Sequence, residues 1–482
     1  MSSRAYKILL VLAAAVLLAA GGQFQNLLNR ERVELGFTPL PNDPAMPPML
    51  ALTTQALGGF RGLIANALWI RANDLQNSDQ YFEMVQLARW ITALEPRFVQ
   101  VWTVQAWNMA YNISVKFTAP EDRWRWVRHG IELLRDDALR YNPDEALIYR
   151  ELAWFFQHKM GANLDDAHFY YKTAWAIEMD KALNPARRKF DGHPNFAELL
   201  KPQTDEARAI AATLRDTFKL DPKKMKEVDD HYGPFDWRLP EAHAIYWAYL
   251  GLAKSKPTDL MTLRRVIYQS MQLAFQRGRL RVGADGQIYF VPNLEVIAPA
   301  SAAYEEMARL EESQPLSNAI LRAHRNFLRE AVYELYIHNR LTDSERWFKI
   351  LREKYPDGLP ADLTLTDYAV LRAMGEMNDG SQTRMTSIIQ SFVTQAYARL
   401  VDGEDDQAAA YMQRAQEMWD GYFRKTRGDQ RLRLPPLDEL KKQVLETFLD
   451  PKTGLPPESR ARLRTALALP AEAPAVKAPD AK

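Results

Sequence analysis

The sequence predicts an all-α protein, an α-solenoid of stacked helix hairpins with one N-terminal membrane helix and a small β-hairpin insertion. Three observations carry this expectation. A helix-pair pattern occurs twice. Leu94, Glu95, Pro96, Arg97 and Phe98 lead to Trp102, Ala106 and Met109, and Tyr141, Asn142, Pro143 and Asp144 lead to Tyr149, Ala153 and Phe156. In both copies an aromatic stands six positions after the proline, alanine four further on and a large apolar residue three beyond that. Spacings of four and three place side chains on one helix face. Helical patterning then runs, with breaks, from near Leu52 to about Leu449, and an apolar run lies near the N-terminus. A recurring unit of this kind means helices that cover one another's apolar sides, an architecture that usually binds rather than catalyses.

Taken in order, the chain begins with Arg4 and Lys7 before an apolar run from Ile8 to Ala20. That run is shorter than the about 20 residues of a membrane span and fits the ~7–15 of a signal-peptide core. Small residues from Ala20 to Gly22 suit a cleavage site, whereas Gln23, Asn26 and Asn29 suit a helix continuing into the headgroup region. The expectation is an uncleaved anchor over residues 1–28, with the two leading cations inside and the body exported. Residues 29–51 hold Pro39, Pro41, Pro44, Pro47 and Pro48 and read as an extended spacer.

Residues 52–180 form a first repeat block, interrupted early by Gly58-Gly59-Phe60-Arg61-Gly62. The 181–240 stretch is more polar, with Asn184-Pro185, Asp191-Gly192-His193-Pro194 and Tyr232-Gly233-Pro234 as breakers, and reads as an irregular insertion. A second repeat block covers 241–425. It contains the one hairpin signal, in which Leu280-Arg281-Val282 and Ile288-Tyr289-Phe290-Val291 flank Asp285-Gly286 near 279–291. C-terminal helices are expected over 426–468, and an Ala/Pro/Lys-rich disordered tail over 469–482.

Composition limits the function classes. The 482 residues are 47% hydrophobic and 11% aromatic, enough apolar material for a long folded body. Sixty-two basic and 61 acidic residues give a formal net charge of +1, so no broad basic footprint for nucleic acid exists. Cysteine is absent, which excludes disulfides, thiolate zinc sites and lipid attachment through an N-terminal cysteine.

The repeat resembles the tetratricopeptide repeat, whose first helix carries W-x2-L-G-x2-Y and whose second carries A-x3-F and a later proline. Trp247-Ala248-Tyr249-Leu250-Gly251 supplies the first part, with Lys254 in place of the tyrosine. Ala167, Tyr171 and Ala174 match the second helix, as do Ala408, Met412 and Ala415, and Ser344, Phe348, Leu351 and Pro356. Ile131, Ala138 and Pro143 match less well, because Arg135 fills the aromatic slot. The resemblance covers roughly residues 65–425 without the insertion, in five to seven units. The interval from Pro96 to Pro143 exceeds the ~34-residue unit, so the array is divergent. The segment from His231 to Pro240 is similar to segments of uncharacterised, membrane-anchored bacterial proteins with such repeats. The resemblance implies a core role for Trp247. It also implies that first-helix positions line a groove for extended peptides or partner helices.

With Trp102, Ala106 and Met109 facing the partner helix, Thr103, Trp107 and Tyr111 lie on the opposite face. Arg150, Trp154 and His158 occupy the same places in the next unit. Stacking would set Trp107 beside Trp154 with a cation and an imidazole nearby, a hot-spot composition. The competing expectation buries both tryptophans between repeats as packing.

Signals for chemistry are weaker. His158, Asp165, Asp166 and His168 are the densest set of metal-ligand types. Asn163-Leu164-Asp165-Asp166 reads instead as a loop and helix cap, so no metal is expected. Asp229-Asp230-His231, Glu305-Glu306 and Glu311-Glu312 read as solvent-facing acids. Neither H-E-x-x-H, G-x-S-x-G nor a Walker loop occurs. The glycine cluster at 58–62 has no preceding strand, which argues against phosphate binding. The expected function is therefore a scaffold without enzymatic activity or cofactor. It is tethered to the inner membrane and binds a protein or peptide partner on the periplasmic side. The alternatives are a cell-envelope hydrolase using Asp165 or Asp166, or an accessory subunit of an envelope transport or secretion complex.

Overall fold

In the computed structural model the described residues are 61–470, except 79, 163, 257–259, 284–286, 312, 358, 376–378 and 427–428, with scattered positions between 12 and 31. The scattered positions are helical. Most of the Pro-rich spacer, Gly58 to Phe60, the Asp285-Gly286 turn and the tail beyond Pro470 lie outside the described residues. Among the described residues no helix is long and apolar enough to cross a membrane. They are mostly helical, with one two-stranded antiparallel sheet, as an all-α protein with a β-hairpin requires.

The chain forms two compact units, residues 1–231 with 235–291, and residues 232–234 with 292–482. In the first unit, α1 (Arg61–Asn77) and α2 (Tyr81–Leu94) close on Ala65, Ala72, Leu75, Met84, Ala88 and Ile91. Three helices follow that each run on into a π-helical segment. They are α3 (Val99–Trp107) into Asn108–Ile113, α4 (Pro120–Glu132) into Leu133–Ala138, and α5 (Ala146–Trp154) into Phe155–Gly161. Then come α6 (His168–Leu183), α7 (Asp205–Asp216), α8 (Pro222–Tyr232), α9 (Pro240–Leu252) and α10 (Leu260–Arg277). The hairpin of β1 (Arg279–Val282) and β2 (Ile288–Val291) closes the unit, with Leu280 opposite Phe290.

The doubled sequence pattern corresponds to a doubled local geometry. Helices end at the residue before a proline because the proline ring clashes with a helical predecessor. Glu95 (φ −130°, ψ 71°), Asn142 (φ −134°, ψ 61°), Asn184 (φ −138°, ψ 60°) and Lys201 (φ −133°, ψ 69°) are such stops. Each still donates its N–H to the carbonyl four residues back. The aromatic six positions after the proline then bonds that proline's carbonyl. Trp102 Nε1 donates to Pro96 O at 2.8 Å, and the Tyr149 hydroxyl donates to Pro143 O at 2.8 Å. Asn142 Nδ2 also donates to Pro96 O at 2.9 Å, joining the second of these stops to the first proline. Tyr149→Phe keeps the ring and removes one of these donors. Its expected cost is about 1 kcal/mol, read from hydrogen exchange of amides in α5.

Close approach of α3 and α4 depends on Gly130, where a Cβ would lie 2.9 Å from the Ala106 carbonyl oxygen. Trp247, at 3% exposure in α9, is a core residue, as expected for it.

The 181–240 stretch contains helices and a buried buckle. Asp229 accepts from the Phe235 amide (3.0 Å), Trp237 Nε1 (2.9 Å) and His193 Nε2 (2.8 Å). Asp229 is thus buried and fully engaged, which corrects its expected solvent-facing position. The Asp229 hydrogen bond raises the His193 pKa above its ordinary value. Asp236 holds Arg238 with two hydrogen bonds of 2.8 Å and accepts the Leu280 amide at 3.0 Å, tying the buckle to β1. Gly192 has φ +90° and its carbonyl accepts the Trp237 amide N–H; a Cβ there would overlap Asp236 Oδ1 at 1.9 Å.

The second unit runs through α11 (Ile297–Leu310), α12 (Gln314–Ile337), α13 (Leu341–Lys354), α14 (Leu365–Met374), α15 (Asp379–Asp402), α16 (Asp405–Thr426), α17 (Leu437–Leu449) and α18 (Pro457–Ala466). In α12, Ile320, His324, Phe327, Leu328, Ala331, Val332, Leu335 and Tyr336 make one buried stripe at helical spacing. The core gathers Tyr336, Val370, Met385, Ile389, Phe392, Met418 and Tyr422. Tyr355 before Pro356 repeats the pre-proline stop (φ −137°, ψ 68°), and Ser344 Oγ bonds Val332 O at 2.8 Å, fixing the α12–α13 pair. Glu305 and Glu306 are exposed as expected, although Glu305 bonds Lys354 at 2.9 Å.

Candidate functional site

The six candidate residues lie where α3 and α5 pass into their π-helical segments. Such π segments insert an extra residue into the turn and recur at functional positions. Here both do the same thing to a pair of side chains four apart. Trp107 stacks on Tyr111 with centroids 4.1 Å apart and planes at 19°. Trp154 stacks on His158 with centroids 4.5 Å apart and planes at 13°. The two stacks meet. The Tyr111 hydroxyl is 3.2 Å from His158 Nδ1. Trp107 Nε1 donates to Glu151 Oε2 at 3.1 Å, and Arg150 Nη2 donates to Glu151 Oε1 at 2.7 Å.

Five of the six residues are therefore brought into one patch. Trp107 is 41% exposed, with Tyr111, Arg150, Trp154 and His158 half-buried beside it. Thr103 departs from expectation. It is buried, and its hydroxyl donates to Gln100 O at 3.1 Å on its own helix, so it contributes no exposed contact. Thr103 is 9% exposed, one turn before Trp107 at 41%.

Beneath the patch lies a buried ionic chain. Lys159 Nζ sits 4.8 Å from the Tyr111 ring centroid and bonds Asp165 at 2.5 Å. Arg123 bonds Asp165 at 2.8 Å, Asp166 at 2.7 Å and the Tyr171 hydroxyl at 3.1 Å. Asp165 also accepts the Ala167 amide at 2.9 Å. Burial pushes the Asp165 carboxyl up, but the Lys159 hydrogen bond and the Ala167 amide outweigh it, leaving its pKa below the ordinary value. Burial, then the Glu151 charge, pushes the Tyr111 phenol well above its usual value. Burial, then neighbouring Lys159, lowers the His158 pKa. The shifts favour an ionised Asp165 and neutral Tyr111 and His158 beneath the aromatic stacks.

The expected helix cap is corrected in part. Ala167, not an aspartate, occupies the N-cap of α6, and Asp165 bonds one loop amide while its charge goes to Lys159 and Arg123. His168 Nδ1 lies 2.6 Å from Asp165 O. Among the described residues, no group of three or more His, Asp or Glu side chains is placed to hold a metal ion. Sequence reasoning missed Glu151, Lys159 and Arg123. Glu151 and Lys159 carry one faint signal, a charge set within an otherwise apolar helical run.

Compared with known proteins, the chain matches no protein-family model and shows no significant similarity to a curated protein.

Proposed function

We propose that this chain is a helical-repeat scaffold that binds a protein or peptide partner on the Trp107–Trp154 patch, without enzymatic activity. The observation that carries this is the pairing of two aromatic stacks from successive hairpins, with Trp107 partly exposed, over a floor of satisfied charges. Rigid aromatic surface with adjacent Arg is what hot spots are made of. A tetratricopeptide-like solenoid accounts for the repeated pre-proline stops and the repeated aromatic-to-carbonyl bonds. A membrane tether with the body on the periplasmic side accounts for the N-terminal charges and for Leu12, Val16, Leu17, Phe24, Leu27 and Leu28, all exposed at described positions.

Affinity capture from solubilised membranes, followed by mass spectrometry, tests this reading with Trp107→Ala and Trp154→Ala. Both variants are expected to keep the native circular dichroism spectrum and lose the captured partner. Unfolding of both would make the tryptophans packing residues and remove the proposed site.

A further inference from the structure

We infer that the patch is selective for an extended peptide that carries a carboxylate beside an aromatic residue; this rests on the scaffold reading above. The argument is one of hydrogen-bond valence. Each Glu151 oxygen is engaged, one by Arg150 and one by Trp107, and the side chain is largely buried. The Tyr111 phenol keeps its proton near neutral pH, and the acceptor beside it is His158 Nδ1 at 3.2 Å. With Nδ1 accepting, the neutral imidazole carries its proton on Nε2. That N–H has no partner within the protein among the described residues. Nor has Nη1 of Arg150, whose bonds to Glu151 come from Nε and Nη2.

The patch thus presents two donors with no protein partner among the described residues, a guanidinium edge and an imidazole N–H, set between aromatic faces. A ligand must bring acceptors. A carboxylate satisfies a guanidinium more strongly than a neutral carbonyl does. A lysine-bearing peptide would bring its charge against Arg150, and the neighbouring acid, Glu151, is largely buried and already paired. Glu151 competes for the same guanidinium, so it acts as an internal substitute for the ligand carboxylate. The patch keeps its shape while empty for that reason.

The test uses the full-length chain and three fluorescein-labelled decapeptides that alternate Phe with Asp, Asn or Lys, read by polarisation anisotropy. The Asp peptide is expected to bind about tenfold more tightly than the Asn peptide, the Lys peptide most weakly. Arg150→Gln is expected to abolish the Asp-over-Asn preference. Glu151→Gln leaves an amide oxygen for Trp107 and releases the guanidinium, so it is expected to tighten Asp-peptide binding about threefold. Thermal melting checks that both variants fold; because one loses and the other gains affinity, misfolding cannot imitate the pair. Equal or stronger binding of the Asn or Lys peptide overturns the selectivity while the scaffold stands. Weaker Asp-peptide binding in Glu151→Gln does the same. Failure of all three peptides to bind overturns the selectivity and removes its support from the scaffold reading; Trp107-dependent partner capture in the same preparation then shows that the scaffold survives alone.

Discussion

Replacing Lys172 with methionine is expected to destabilise the first unit by about 3–5 kcal/mol. Lys172 of α6 and Glu241 of α9 are both almost fully buried, with Nζ 2.5 Å from Glu241 Oε1. The ammonium also donates to Arg277 O at 3.2 Å and lies 4.6 Å from the Phe290 ring centroid. The second carboxylate oxygen, Glu241 Oε2, has no hydrogen-bond partner in the protein. Removing Lys172 would leave that carboxylate in the interior with no counter-charge, and the desolvation it suffered on folding would go unrelieved. Replacing both, as Lys172→Met with Glu241→Leu, is expected to recover most of the loss, because two apolar side chains of similar volume need no partner. Hydrogen exchange of amides in α6 and α9 measures this within the one unit, where a single melting curve would mix two. A cost under about 1 kcal/mol for the single substitution would mean that water reaches the carboxylate, contrary to its burial.

Acid is expected to weaken the same unit through His243. Its ring is enclosed by Phe156, Trp175 and Trp237, and its Nε2 lies 3.0 Å from Trp237 O. Burial lowers its pKa from 6.5 to about 3, with the Trp237 carbonyl opposing and Arg135 adding a smaller repulsion. The sign follows from linkage. Below about pH 6.5 the unfolded chain takes up a proton that the folded chain refuses until about pH 3. Stability is therefore fully present above pH 6.5 and falls as pH drops through that window. The loss approaches about 1.4 kcal/mol per pH unit, or up to about 5 kcal/mol at its acid end. His324 in the second unit, lowered to about 4 by burial, gives that unit a similar but narrower window. Urea titrations at pH 7.5 and 5, followed by amide exchange in α9, measure the His243 part. His243→Gln should be less stable at pH 7.5 yet show a flatter fall toward pH 5. An unchanged slope would place the acid sensitivity elsewhere.

Much of this fold is legible in one dimension because its determinants are local. Proline forbids helix in the residue before it, so Pro96, Pro143 and Pro356 announce helix ends wherever they stand. The Trp102 and Tyr149 positions follow from the same register. The β-hairpin was readable because the alternation and turn residues of 279–291 need no distant partner. Charged groups behaved differently. Asp229 sits between Val228 and Asp230 in a polar run, yet three donors from the 193–237 region converge on it. Nothing in the local pattern distinguishes it from the exposed acid next to it.

Side-chain type and spacing alone determined that Trp107 and Tyr111 share a helix face, and that Arg150, Trp154 and His158 share the equivalent one. Periodicity is a property of a single helix. Only the tertiary structure decided that these faces meet through Tyr111 and His158, that Thr103 is covered, and that Glu151 consumes one edge of Arg150. The π-helical segments also escaped the sequence, since an extra residue in a turn is held by neighbouring packing and not by residue preference. Hydrogen-bond valence is spent between helices, and a linear pattern holds no record of which helix stands opposite.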